Sequence, residues 1–470
     1  MIRWLFWLHR YLGIAVGVLM VMWCVSGVVM MYVGYPALDS RVRLSRLAPI
    51  VWSGCCRISS AVLADTDPVG DFGVEMLAGR PVMEVRGPPE AAGLIDLTTG
   101  SAIEGVSSGQ AAEVAAAYST GLRHAVPRLL GTIDYDQWTV TERGGPLYHF
   151  RLDDGSGTEL YVSSTTGEVV QLTTERQRFW NWLGSVPHWL YFADLRRQPA
   201  LWTQVVIVTS MIGCFLTAIG LYIGAWQWLH RPAGRWSPYR GFNLWHHLVG
   251  LVFGIFTLTW VFSGLLSVNP WGWLEGAGAR PERVQLRGPQ ISAAQVRDLL
   301  RALAAVHPPG IVSIASAPLD GRLYVVASAA DGQRQRLDGG GAPAPLAQAE
   351  LAFIGKALSG TAQAPTLMRR EDNYYFGSPQ DAVPLPVYRI IRRDGSNPRY
   401  YVDPISGMLI AKVDRGDRGY RWWFDGLHRM DFVVALRGRP QWDVLMLLLM
   451  SGVTTVCVTG AYLGYRRLTR

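Results

Sequence analysis

The sequence predicts an integral membrane protein with four transmembrane α-helices in two parallel tandem repeats and two large α+β domains outside the bilayer. Three observations predict it. Four apolar stretches are each long enough to cross a hydrocarbon core of about 30 Å, which takes about 20 helical residues. Arginines cluster in the short segments that flank these stretches, and the chain matches itself at a nearly constant offset over most of its length.

The apolar stretches run from Tyr11 to Val33, Leu201 to Trp226, Leu248 to Val268 and Trp442 to Tyr465. A secretory leader is the competing reading of the first. Its run exceeds the about 7–15 apolar residues of such a leader and no small-residue cleavage pattern follows, so a retained helix is expected. Arg3 and Arg10 precede the first stretch, Arg231, Arg235 and Arg240 separate the second and third, and Arg466, Arg467 and Arg470 follow the fourth. Basic residues in short loops stay on the cytoplasmic side, so both termini are expected inside and the two long segments outside. The expected divisions are 1–34 for the first span, 35–175 for the first outer domain, 176–230 for an outer histidine segment and the second span, 231–268 for the cytoplasmic loop and third span, 269–415 for the second outer domain, and 416–470 for another outer histidine segment and the fourth span.

The formal charge of +8 raises nucleic acid as a partner. Nearly every base is arginine, the only lysines being Lys356 and Lys412, and topology accounts for the arginines beside apolar stretches. No nucleic acid is expected. Cys24, Cys214 and Cys457 fall inside apolar stretches, where free cysteine packs as a small hydrophobe. Cys55 and Cys56 are adjacent in the first outer domain and open to oxidation, and no Cys-x-x-Cys-His or paired Cys-x-x-Cys is present.

The self-match fixes which residues stand apart. Trp-Leu-His9-Arg-Tyr-Leu-Gly13, Gly17 and Trp23-Cys-Val-Ser26-Gly27 fall on Leu-Trp-His246-His-Leu-Val-Gly250, Gly254 and Trp260-Val-Phe-Ser263-Gly264, 237 positions on. Trp182, His188, Phe192, Trp202, Gly220, Tyr222 and Gly224 fall on Trp422, His428, Phe432, Trp442, Gly460, Tyr462 and Gly464, 240 positions on. In the outer domains the strand–turn–strand patterns 161–170 and 401–410 match at 240 as well, an earlier hairpin is expected at 95–100, and helices are expected over 111–118 and 351–358.

Four of the nine histidines are thus placed in pairs: His9 with His246, and His188 with His428. An imidazole near a helix end often snorkels or bonds a carbonyl, but ionisable residues beside spans are costly and tend to be functional. Two neutral imidazoles on facing helices, without a cysteine or carboxylate cluster, suit axial ligation of b-type haem; zinc calls for four ligands, or three and water. The glycines four and eight residues after each inner histidine, Gly13, Gly17, Gly250 and Gly254, form either a flat groove for a macrocycle or a small-residue helix-packing seam. Depth along the spans pairs His9 with His246 and His188 with His428, with pairing inside each half as the alternative; Pro187 and Pro199 raise the option that the His188 segment turns out of the membrane. His247 and His230 lack matching counterparts, and His124, His149 and His307 are expected to be ordinary outer-domain histidines.

At the Trp-Leu-His-Arg-Tyr-Leu-Gly start, the histidine before the second span and the Tyr-Val-x-x-x-x-Gly hairpins, the chain resembles the PepSY-associated transmembrane family. The resemblance implies periplasmic PepSY-like outer domains and a multi-pass protein of the bacterial inner membrane. It further implies similarity to di-haem ferric-siderophore reductases, with two b-type haems held by His9, His188, His246 and His428, a ferric siderophore or other periplasmic iron chelate as acceptor, and quinol or a cytoplasmic reductase as donor. One departure is Arg336-Leu-Asp-Gly-Gly-Gly341, which stands where Ile95-Asp-Leu-Thr-Thr-Gly100 stood. The rival readings are a non-enzymatic membrane protein that binds or regulates an envelope partner, and a transporter, for which the spans lack mid-bilayer charges.

Overall fold

The computed structural model describes residues 2–86, 93–119, 126–141, 145–361, 364–377, 382–433 and 437–469. The chain divides into two compact units, one of Met1–Tyr35, Phe179–Gly276 and Arg415–Arg470, the other of Pro36–Arg178 and Ala277–Asp414. His124 lies outside the described residues.

The first unit is built on four long apolar helices: α1 (Ile2–Met30), α2 (Pro199–Leu229), α3 (Phe242–Ser267) and α4 (Gln441–Leu468). Each is long and apolar enough to cross a membrane. All four helices begin before the apolar stretches do, because aromatic and arginine residues lower hydropathy without breaking a helix, whereas α1 and α3 stop at Met30 and Ser267, short of the stretch ends. His9 and His246 therefore lie on helix rather than before it. Pro199 occupies the first turn of α2, where its missing N–H costs nothing. The helices pack in a ring, α1 on α2 and α4, and α3 on α2 and α4. Val16, Met20, Cys24, Leu216, Val453 and Cys457 are buried at its centre.

The second unit is α+β. Its central sheet takes strands from both long segments: β1 (Asp71–Leu77), β2 (Arg80–Arg86), β3 (Gly93–Asp96) and β4 (Ala102–Ile103) from the first, β9 (Ile311–Ser316), β10 (Tyr324–Ala329) and β11 (Arg334–Asp338) from the second. The order is β11-β10-β9-β1-β2-β3-β4. The seam is the antiparallel pair β1–β9, with Gly73 opposite Ala315, Val74 opposite Ile314 and Glu75 opposite Ser313. The two outer segments, expected as domains 35–175 and 269–415, are thus joined by one sheet. Helix Ala293–Val306 opens on a Ser292/Gln295 capping box and lays Val296, Leu299, Leu300 and Leu303 in the core beneath that sheet.

Each segment also makes a four-stranded meander of its own: β5 (Pro127–Ile133), β6 (Leu147–Leu152), β7 (Glu159–Ser163) and β8 (Val169–Thr173) in one, β12 (Thr366–Met368), β13 (Val387–Ile391), β14 (Arg399–Val402) and β15 (Leu409–Val413) in the other. Helices Ser108–Ser119 and Gln348–Ser359 accompany them. The expected hairpins turn at Gly167 and Gly407, both with positive φ (72° and 75°), as a side-chain-free turn residue permits. The Cys55 and Cys56 sulfurs are joined in a vicinal disulfide.

The departure at Arg336 has a packing explanation. Its side chain is buried, forms two hydrogen bonds to the Glu350 carboxylate and lies over the Tyr324 ring. Burial pushes the Glu350 carboxyl up, but hydrogen bonds from Arg336, the Ala347 N–H and Tyr324 outweigh it and hold the pKa at about 2. Its folded value lies below the unfolded value of about 4.3, so the stabilisation is present above that pH and is lost as pH falls towards 2. Glu350→Ala, which leaves a buried guanidinium unpaired, is expected to cost about 3–5 kcal/mol. Hydrogen exchange of residues 324–358 at neutral pH checks the loss, and the variant's protection should then change less than the parent's on acidification.

Candidate functional site

The helical unit brings the four offset-matched histidines together in two pairs. The His9 and His246 ring centres, on α1 and α3, are 6.3 Å apart. His188, in the short helix Ser185–Trp189 ahead of α2, and His428, in Leu427–Arg429 ahead of α4, have ring centres 6.1 Å apart. The first pair joins diagonal members of the ring and the second joins the turns that lead into the other two, so the fold brings together the histidines that depth pairs in the sequence.

All four rings share one anchor, a helix backbone carbonyl at Nδ1. His9 Nδ1–H donates to the Leu216 carbonyl at 3.1 Å, and His246 Nδ1–H to the Val456 carbonyl at 3.2 Å and the Thr459 hydroxyl at 3.1 Å, the latter without a counterpart at His9. His188 Nδ1–H donates to the Trp23 carbonyl and the Ser26 hydroxyl, both at 3.1 Å. His428 Nδ1–H meets the Ser263 hydroxyl at 3.0 Å and the Trp260 carbonyl. The other acceptors obey the self-match too: 216 + 240 = 456, 23 + 237 = 260 and 26 + 237 = 263. With Nδ1 carrying the proton, each Nε2 keeps its lone pair for a ligand bond, the arrangement that orients metal-binding histidine.

Glycine makes those carbonyls reachable. In an α-helix the carbonyl of residue i already accepts from the N–H of i+4, and the side chain of i+4 sits on the same face. The residues four beyond Leu216, Val456, Trp23 and Trp260 are Gly220, Gly460, Gly27 and Gly264. A Cβ on Gly220 falls 2.6 Å from His9 Cε1, one on Gly460 2.9 Å from His246 Cε1, and one on Gly27 3.2 Å from His188 Cε1. At Gly264 the corresponding distance to His428 is 3.9 Å. These glycines were visible in the self-match, but nothing in sequence tied them to the histidines, because the contact is between helices.

The glycines expected to form a groove divide into two sorts. A Cβ on Gly17 meets the Ala461 backbone at 3.6 Å and one on Gly254 meets Leu221 at 2.7 Å, so these two seat neighbouring helices. A Cβ on Gly250 meets nothing within 4 Å, and one on Gly13 meets only Leu216 at 3.9 Å, which leaves open space one turn from each inner histidine.

The outer histidine segments share two further features. Leu190 and Met430, which follow the histidine turns, both take a left-handed conformation (φ 53°), strained for a side chain of that size. The Trp202 and Trp442 indoles reach back from α2 and α4 to the Trp189 and Arg429 carbonyls, at 2.9 and 2.7 Å. The tryptophans thus fasten the turns that carry His188 and His428. Pro187 is accommodated inside its short helix.

The remaining histidines are engaged elsewhere. Both ring nitrogens of His247 are taken, by Ser237 and the Gly224 carbonyl, which ties the 230–241 loop to α2. His230 bonds the Trp226 carbonyl of its own helix end. His149 bonds Glu159 and stacks on Tyr161 in the second unit, and His307 is exposed at a helix end.

Two imidazoles facing each other across one metal, bonded at about 2.0–2.1 Å through nitrogens about 1.2 Å from their ring centres, have centres about 6.4 Å apart. Both observed separations lie close to that value. Each pair presents two imidazoles, and among the described residues no group of three or more His, Cys, Asp or Glu could hold a metal ion. That suits a metal whose other positions are filled by a macrocycle.

Fold and site define a multi-pass membrane protein with two paired-imidazole sites in one four-helix unit. The chain belongs to the PepSY-associated TM region family, whose model matches residues 6–463. A search of the curated proteins finds no match.

Proposed function

We propose that the protein is a di-haem electron carrier of the bacterial inner membrane that delivers electrons to a periplasmic acceptor in iron acquisition. The observation that carries this reading is the twofold occurrence of one arrangement: imidazoles about one metal's width apart, each anchored through Nδ1 on a helix carbonyl, three of which a glycine clears. Bound there, b-type haem supplies one-electron transfer. His9 and His246 hold the inner site, His188 and His428 the outer one. On α1 the Ser26 that meets His188 is 17 residues beyond His9 (26 − 9), about 25 Å of helix, most of a hydrocarbon core. The pairs therefore divide the crossing into shorter steps.

A tandem duplication underlies the arrangement. Helices Ser108–Ser119 and Gln348–Ser359, strands β1 and β9, β6 and β13, β7 and β14, and β8 and β15 each begin 240 residues apart. At the β1–β9 seam Val74 faces its own counterpart, Ile314 (74 + 240), flanked by reciprocal pairs, as an isologous contact requires. Arginine placement supports both termini in the cytoplasm and the second unit in the periplasm. A periplasm-dependent reporter fused after Arg470 is expected to be silent; activity there would reverse the orientation.

The acceptor is a ferric siderophore or a similar chelate. Hard oxygen donors hold Fe(III) better than Fe(II), so its one-electron reduction loosens the iron. The donor is quinol or a separate cytoplasmic reductase, because the chain carries no dinucleotide fingerprint or phosphate-binding loop. Protein purified from haem-supplied cells is expected to show a low-spin spectrum and two haems per chain, reoxidised by ferric siderophore. A colourless, haem-free protein overturns the reading.

A further inference from the structure

We propose that Cys24 and Cys457 form a redox-active dithiol that closes to a disulfide between α1 and α4. Their Sγ atoms are 3.7 Å apart, and both side chains are buried in the centre of the bundle. The pair breaks the self-match that governs everything around it: Cys24 has Val261 as counterpart (24 + 237) and Cys457 has Thr217 (457 − 240). Repetition of an inherited packing pattern therefore does not account for two thiols meeting here. The same two helices touch at Gly17, where a Cβ would lie 3.6 Å from the Ala461 backbone. Rotation of the two side chains by about 1.7 Å in all brings the sulfurs to bonding distance.

The position gives the bond a consequence. Cys24 follows Trp23, whose carbonyl holds outer His188, and Cys457 follows Val456, whose carbonyl holds inner His246. A disulfide fastens into one covalent frame one backbone acceptor of each site, Trp23 of the outer and Val456 of the inner. On closure both S–H bonds break and one S–S bond forms. The two electrons and two protons pass to a lipid-soluble quinone, which becomes the quinol. The dithiol thus responds to the oxidation state of the quinone in the surrounding bilayer, and its chemistry needs no haem.

The test uses the full-length protein in lipid nanodiscs, exposed to a short-chain ubiquinone or to its quinol, then denatured with an alkylating agent and digested for mass spectrometry. Quinone is expected to raise the linked pair of Cys24 and Cys457 peptides, lighter by two hydrogens, at least about tenfold over the quinol sample. Cys24→Val, which copies the counterpart residue, is expected to leave Cys457 alkylatable under both conditions. Unlinked, fully alkylated peptides after quinone treatment, or a quinone adduct on either sulfur, overturn the proposal. Haem is assayed on the same samples: a link in haem-free protein sinks the electron-carrier reading alone, and a haem-loaded protein without the link sinks this one alone.

Discussion

His246→Ala is expected to lower haem content from two per chain to about one, and His9→Ala to do the same. Each would remove one of the two imidazoles of the inner pair while the outer pair, held by Trp23, Ser26, Trp260 and Ser263, stays intact. His188→Ala or His428→Ala is expected to empty the outer site instead. The remaining haem then differs between the two classes, so their low-temperature spectra and midpoint potentials should fall into two groups. Outer-site variants should also keep cytoplasm-driven reduction of the inner haem yet fail to reduce an external ferric chelate. His247→Ala, at a ring whose nitrogens both serve packing, should retain both haems. Two intact haems after all four single substitutions would remove these residues as ligands, and spectra that group by half of the chain rather than by depth would reassign the pairing.

Gly220→Leu should be as damaging as loss of the ligand. Even a Cβ at that position would sit 2.6 Å from His9, so the imidazole must leave the Leu216 carbonyl that orients it. Overpacking of this kind costs about 1–3 kcal/mol in a core and displaces the ring besides. Gly460→Leu repeats the test at His246. Gly250→Ala is the control, because a Cβ there meets nothing within 4 Å. Inner-site haem should fall severalfold in the first two and hold in the third. Equal haem content in all three would mean that the glycines clear no path for the histidines.

Much of this site was legible in sequence because its parts are local. Histidine spacing along an apolar stretch, the offset match and the arginine clusters need no tertiary information, and they place each histidine at a depth. What could not be read were relations between helices: that the carbonyl of Leu216 holds His9, that Gly220 clears the way to it, and that Trp202 and Trp442 fasten the outer turns. A backbone acceptor has no residue signature, and a glycine in a span reads equally as packing. The outer segments failed differently. Their hairpins and helices were visible from turn glycines and apolar periodicity, but strand partners were not, and two expected domains turned out to share a sheet because β1 pairs with a strand far along the chain. Arg336 stands out in sequence only as a departure from the repeat, and its buried pairing with Glu350 needed the fold.

That seam has a consequence for how the protein is made. Glu75 waits for Ser313, its hydrogen-bond partner 238 residues later. At translation rates of about 5–20 residues per second, β1 stands as an open sheet edge for about 12–48 seconds while two further spans are synthesised. Throughout that interval its natural mate, a strand built to pair reciprocally, is matched by β1 of a neighbouring nascent chain.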